Sequence, residues 1–346
     1  MKAMVLTAYG RLELAEMPAP EAGPGEVLVR VEACGICGSD VHGYDGSTGR
    51  RIPPIVMGHE AAGTVAAVGE GVSAYAVGDR VTFDSTIYCG RCAYCVRGEI
   101  NLCENRQVIG VSCGEYRRHG AFAEYVALPE RILYKLPADF SFSDAAMLEA
   151  VSVGLHGVKV LELAGGETAL VIGAGMIGLL ALQAAKALGC RRVIVADVDA
   201  TRLALAKQVG ADETICASGD ELVSAVLQLT GGCGVDAALE AVGRNETVLA
   251  AIDATRKGGK VALIGNLAPE VALPLQKVVT RQIRLQGSCA SAGEYPLAIE
   301  LIAAGKIQVR PLITAVAPLE EGLRWFERLH AREPNLMKVI LTPRTK

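Results

Sequence analysis

Four cysteines fall within 15 residues: Cys89-x2-Cys92-x2-Cys95-x7-Cys103. Thiolates at this spacing can close a tetrahedral metal site, and Gly90 and Gly98 let the chain wrap around it. Four protein ligands leave no open position, so this site would be structural. A second set of metal-type residues is more dispersed. Cys37 and His42 lie in Cys34-Gly35-Ile36-Cys37-Gly38-Ser39-Asp40-Val41-His42, Gly58-His59-Glu60 follows, and Glu149 comes far downstream in Met147-Leu148-Glu149-Ala150. Three ligands drawn from Cys, His and carboxylate, with water as the fourth, suit Lewis-acid chemistry. Taken singly, each has a plainer role: a buried Cys as apolar filler, a His as a satisfied polar group, Glu149 as a helix cap.

A third motif handles phosphates. Val171-Ile172-Gly173-Ala174-Gly175-Met176-Ile177-Gly178 matches G-x-G-x-x-G, follows an apolar strand pattern and opens a helical one. Gly173 permits the tight turn, Gly175 lets the backbone approach a pyrophosphate, and Gly178 allows close helix–strand packing. The helix N-terminus would supply free N–H groups. Asp197 closes the next strand, 19 residues after Gly178. An acid there accepts hydrogen bonds from ribose hydroxyls and repels a 2′-phosphate, which favours NAD over NADP. Arg202, nearby, qualifies this, since an Arg there could accommodate a phosphate; beside Asp197 it is assigned to the adenine side.

These residues need elements to hold them. Residues 1 to about 150 read as short strands and turns, with strands expected at 27–33, 61–68, 80–83 and 122–126. From about 152, strands and helices alternate. Strands are expected at 168–172, 192–196, 213–216, 235–239, 260–264 and 283–286, and helices at 176–188, 200–209, 221–229 and 246–256. Such alternation implies a parallel sheet covered by helices on both faces. After 288, two helices (295–304, 319–329) and a strand (338–341) are too few for a domain, so this piece is expected to complete the first one. The division is therefore 1–151 with 289–346, and 152–288 inserted between them.

Composition supports an ordered, two-domain chain. Of 346 residues, 51% are apolar and the formal net charge is −4, which excludes disorder and disfavours nucleic-acid or anionic-membrane binding. No secretory signal or membrane span is read, so a cytoplasmic location is the expectation, and there clustered Cys more often means metal than disulfide. The 11 cysteines divide into four for one metal, Cys37 for another, and six ordinary thiols. Arg117-Arg118-His119 reads as a solvated basic loop; the sharper alternative is a subsite for a phosphorylated substrate.

Together these motifs resemble the zinc-dependent medium-chain dehydrogenases, over essentially the whole chain. Gly58-His59-Glu60-Ala61-Ala62-Gly63 looks like that family's G-H-E signature, and Val77-Gly78-Asp79-Arg80-Val81 like its next strand entry. Cys37-Gly38-Ser39-Asp40-Val41-His42 and Glu149-Ala150-Val151-Ser152-Val153-Gly154-Leu155-His156 look like segments of the polyol branch, the sorbitol and galactitol-1-phosphate dehydrogenases.

The resemblance implies a GroES-like β-rich catalytic domain and a Rossmann doubly wound domain. It implies one catalytic and one structural zinc per chain, NAD, and a homodimer or homotetramer. Cys37 and His59 would hold the catalytic zinc, with Glu149 as third ligand or as holder of its water, and Glu60 as a direct or exchanging ligand. Ser39 and His42 would relay the substrate proton. Ile177, Asp197, Arg202 and Gly265 fall at cofactor positions and Tyr44 at a substrate position. The implied reaction is hydride transfer between NAD and a secondary alcohol of a polyol, sugar alcohol or its phosphate; threonine or a secondary alkanol is the alternative substrate. The sequence departs from the polyol branch at Ala150, where Pro is usual, and at Ser288-Cys289-Ala290-Ser291, where sorbitol-type enzymes carry an Arg-Tyr pair.

Overall fold

The computed structural model describes residues 1–343; the last three residues of the expected 289–346 segment lie outside it. The chain divides into two compact units. One comprises 1–149, 295–299 and the stretch from 312 onward; the other comprises 150–294 and 300–311.

In the first unit, Glu26–Gly35 alternates as the pleat demands, burying Val27, Val29, Val31 and Ala33. It is the hub of a seven-stranded sheet among the described residues. Glu60–Val68 lies on one side, followed outward by Arg80–Phe83 and Leu133–Lys135. On the other side lies Lys338–Thr342, with Ile313–Pro318 beyond it, and Tyr125–Pro129 also pairs with the hub strand. Two C-terminal strands are thus part of the N-terminal sheet. The hub's last residue, Gly35, pairs with Glu60 on one side and Ile340 on the other. Three distant segments therefore converge at one end of the sheet.

The second unit carries six parallel strands in the order Glu213–Cys216, Arg192–Asp197, Thr168–Ile172, Val235–Glu240, Thr255–Leu263, Arg284–Gly287. Numbered along the chain this is 3-2-1-4-5-6, the doubly wound dinucleotide order. Thr168–Ile172 is buried at every position, as expected for a central strand.

Several expected elements need correction. The strand expected at 122–126 runs instead over Tyr125–Pro129, because the Ala121 and Phe122 N–H groups bond the carbonyls of Gly58 and Met57. Leu148–Lys159 is a helix absent from the sequence reading, as is the hairpin of Lys2–Ala8 with Arg11–Glu16. The helix expected at 246–256 stops at Ala254, and the strand expected from 260 begins at Thr255. No described helix is long and apolar enough to cross a membrane.

Candidate metal centres and nucleotide site

Cys37 precedes the short helix Gly38–Tyr44, which carries Ser39, Asp40 and His42. His59 and Glu60 sit where a loop enters strand Glu60–Val68. Gly58 makes that entry possible. It has φ +92°, and a Cβ there would meet Cys34 Sγ and the Phe122 ring at 2.9 Å. The ligand atoms of Cys37, His59 and Glu60 lie within 4.8 Å of one another. A thiol, an imidazole and a carboxyl gathered this closely are a donor set suited to zinc.

Asp40 ties these residues together. Its Oδ2 accepts the Cys37 backbone N–H at 3.2 Å, and its Oδ1 lies 3.2 Å from His59 Nδ1. Burial opposes its charge, but His59, Arg51 and the Cys37 N–H outweigh it and hold its pKa down to about 2. With Nδ1 turned to Asp40, Nε2 faces the cluster, 3.4 Å from Ser39 Oγ. A carboxylate behind a histidine fixes its tautomer and orients it for a metal.

Glu60 is paired with Lys338, whose Nζ lies 2.5 Å from its Oε2 and 3.2 Å from the Ile36 carbonyl. Lys338 is 3% exposed, so this ion pair is buried. Glu149, in the first turn of Leu148–Lys159, falls outside the three-residue cluster. Burial pushes its pKa up to about 7; Glu60 adds to the rise, while His59 opposes it.

Tyr44, expected at a substrate position, ends the helix Gly38–Tyr44. It is buried among the core side chains, its ring packs near Phe326, and its hydroxyl donates to the Gly10 carbonyl at 2.8 Å. Arg118 and His119 are likewise engaged, with Gln107 Oε1 and the Val56 N–H, while Arg117 donates to Ser112 Oγ.

Cys89, Cys92, Cys95 and Cys103 form the second cluster, also within 4.8 Å. Cys92 and Cys95 sulfurs lie 3.5 Å apart, and Cys103 Sγ accepts the Cys89 N–H at 3.2 Å. All four are free thiols. Backbone N–H groups of Arg91 and Cys92 draw Cys89 down to about 6, whereas Cys95 is pushed up to about 12. Four thiolates this close repel one another unless a cation sits among them, so the lobe fits a structural zinc.

The Gly-rich turn follows strand Thr168–Ile172. Gly173 has φ +96°, and a Cβ on Gly178 would collide with the Gly173 carbonyl oxygen. A Cβ on Gly175 would meet nothing within 4 Å. This open cradle at the N-cap of helix Met176–Ala187, with no side chain capping the first turn, fits a pyrophosphate. Asp197 closes its strand and accepts the Ala174 N–H at 2.6 Å, which also fixes the turn. Ile177 is half-buried, and Arg202 is exposed, 3.6 Å from Asp199. Gly265 packs against the backbone of Val242 and Gly243. Glu240, fully buried, accepts the N–H groups of Val242 and Gly243 and so shapes the same loop.

Sequence reasoning gave Asp40, Arg51, Lys338 and Glu240 no role. Asp40 had a signal, since an acid beside candidate ligands is a standard orienting group. Lys338 had a weaker one, a cation opening an otherwise largely apolar strand. Arg51 had none.

A Rossmann sheet with an open glycine cradle, together with two zinc-type clusters, defines an NAD-linked zinc oxidoreductase. Comparison with known proteins agrees. Residues 23–138 match the alcohol dehydrogenase GroES-like domain, and 177–304 match the zinc-binding dehydrogenase domain. Sorbitol dehydrogenase of Bacillus subtilis is 34% identical, covering 99% of this chain and 97% of that protein. L-idonate 5-dehydrogenase of Vitis vinifera is 39% identical over 85% of this chain and 81% of that one. The crystal structure of galactitol-1-phosphate dehydrogenase from Escherichia coli superposes with a TM-score of 0.91 at 30% identity, covering 99% of each chain. The chain belongs to the zinc-dependent medium-chain dehydrogenases.

Proposed function

We propose that the enzyme oxidises a secondary alcohol of a polyol, sugar alcohol or its phosphate to the ketone, with NAD as acceptor. The observation carrying this reading is the Cys37–His59–Glu60 cluster with the Ser39 hydroxyl at its edge. The names of the relatives support the substrate class. We assign 1–151 with 289–346 to metal and substrate, and 152–288 to NAD.

When bound, zinc supplies a Lewis acid for the substrate hydroxyl, and NAD the hydride acceptor. The chain's residues do the rest. Cys37 and His59 hold the metal, with Glu60 and Glu149 as the further carboxylates. Asp40 Oδ1 faces His59 Nδ1 and so turns Nε2 towards the metal. Lys338 holds Glu60, so that it can act as an exchanging ligand. Ser39 Oγ takes the proton leaving the substrate hydroxyl as it gives its own towards the nicotinamide ribose, and His42, three residues on along the same helix, passes that proton to solvent. Cys89, Cys92, Cys95 and Cys103 hold the structural zinc. Gly173, Gly175, Ile177, Gly178 and Gly265 shape the dinucleotide site, Asp197 selects the free ribose hydroxyls, and Arg202 lies on the adenine side. Tyr44 stays a substrate-side residue in this reading, through its ring or its oxygen as acceptor, since its hydroxyl proton goes to the Gly10 carbonyl.

The partner is a small molecule rather than nucleic acid or membrane, and we place the protein in the cytoplasm as a homodimer or homotetramer. Sorbitol itself is disfavoured by Ser288-Cys289-Ala290-Ser291. The test is a screen of NAD reduction over polyols, polyol phosphates, sugars, threonine and secondary alkanols. The highest kcat/KM on a polyol, sugar alcohol or polyol phosphate supports the reading; the highest on threonine or an alkanol overturns it.

A further inference from the structure

We propose that Arg51 is a positioning residue for the catalytic metal centre, acting through Asp40 and Ser39. It lies outside the segments that carry the ligands, in a bridge to Ser112. Its side chain is 5% exposed and lies across Gly43, where a Cβ would collide with Arg51 Cγ. The helix carrying Ser39 and Asp40 thus has a slot shaped for this stem. Nη2 reaches Asp40 Oδ1 at 3.3 Å and Ser39 Oγ at 3.4 Å, and Nη1 is anchored on the Arg50 carbonyl at 3.1 Å. Nε has no partner among the described residues.

Packing alone does not account for this residue. A buried guanidinium is costly to desolvate, and an apolar side chain of equal length would fill the slot without that cost. The charge has a specific use. Asp40 is completely buried and bonds the backbone of one ligand, Cys37, while facing the ring of another, His59. Arg51 Nη2 shares Asp40 Oδ1 with His59 Nδ1, so the guanidinium fixes where this carboxylate oxygen sits and holds it aimed at the His59 ring. The same Nη2 occupies one lone pair of Ser39 Oγ and fixes where the hydroxyl points.

The inference rests on reading Cys37, His59 and Glu60 as the ligand set, so its test uses no substrate and counts metal first. The probes are zinc transfer from the holoenzyme to a chelating dye and the visible spectrum of the enzyme with Co²⁺ in the catalytic site. Arg51→Met keeps the stem and removes the charge; Arg51→Lys keeps a charge but loses the planar fork. The first zinc should leave Arg51→Met about 10- to 100-fold faster than wild type, the scale of lost outer-shell support. Arg51→Lys should fall between the two, the cobalt spectrum should shift in both, and release of the second zinc should be unchanged. Wild-type release and spectrum in Arg51→Met overturn the proposal. If Arg51→Met does not fold, judged by loss of NADH binding, the same wild-type behaviour in Arg51→Lys overturns it. A wild-type enzyme holding fewer than two zincs refutes the ligand reading instead.

Discussion

At Asp40 one carboxylate holds two metal ligands, which makes the centre sensitive to each member. Cys37→Ser replaces a soft thiolate with a hydroxyl that stays protonated near neutral pH. We expect zinc content to fall from about two per chain to about one, with NAD-linked turnover lost and the four-cysteine lobe still loaded. Elemental analysis of the purified variant checks this, and retention of two zincs would contradict it. Glu294 offers a pH-dependent test away from the metal. It is 2% exposed and contacts His156 Nδ1 at 3.2 Å, Lys159 Nζ at 3.1 Å and the Ala292 N–H. Burial opposes its charge, but His156, Ala292 and Lys159 pull the pKa from 4.5 to about 2. The folded state therefore binds this proton less readily than the unfolded chain. Its stabilisation is complete above pH 4.5 and disappears as pH falls towards 2. Glu294→Gln should cost about 2 kcal/mol at pH 7. The Tm gap from wild type should narrow steadily below pH 4.5; a gap independent of pH would refute the assignment.

The elements differ in how far the sequence reveals them. The central parallel strands were legible because they are short apolar runs, and Thr168–Ile172 falls where expected; Glu213–Cys216, although mixed in composition, also does. Leu148–Lys159 was not, because its buried and half-buried positions leave no clear polar stripe around Glu149. Tyr125–Pro129 was misplaced because Phe122 reads as strand-forming, whereas the loop before His59 takes up its backbone. The metal ligands were legible as residue types at telling spacings. Arg51 and Lys338 were not, since only folding brings them to Asp40 and Glu60. The glycine turn separates a fold requirement from a ligand requirement. Gly178→Ala drives a methyl into the Gly173 carbonyl and should lower both Tm and NADH affinity. Gly175 has φ −76° and open space at its Cβ, so Gly175→Ala should leave Tm within about 1 °C. It should still weaken NADH binding about tenfold or more, because the methyl occupies the pyrophosphate's approach. Fluorescence titration alongside thermal melts distinguishes the two, and unchanged NADH affinity in Gly175→Ala would remove the cradle from the cofactor site.

For the whole molecule the open question is what covers the outer edge of the six-stranded sheet. Arg284–Gly287 is its last strand, paired on one side only among the described residues. An unpaired edge is a standing template for another strand, and proteins usually cover or blunt it. Beside it in sequence stands helix Leu275–Thr280, none of whose residues is buried. Leu275 is 63% exposed and Val279 66%, four residues apart on one helical face, and Leu267, Val271 and Leu273 are exposed in the loop before it. Apolar side chains grouped in one segment mark an association surface more often than chance exposure. A second copy of the chain is the occupant that the homo-oligomer proposal requires, since it would bring the same edge and the same apolar segment in two-fold fashion. Leu275→Glu/Val279→Glu places two charges on that face without touching the glycine turn or either metal cluster. Light scattering should give a multiple of the chain mass for the parent and a smaller species for the double variant at equal concentration. Zinc content should be unchanged in both. An unchanged mass in the double variant would place the interface elsewhere, and a monomeric parent would refute the oligomer itself.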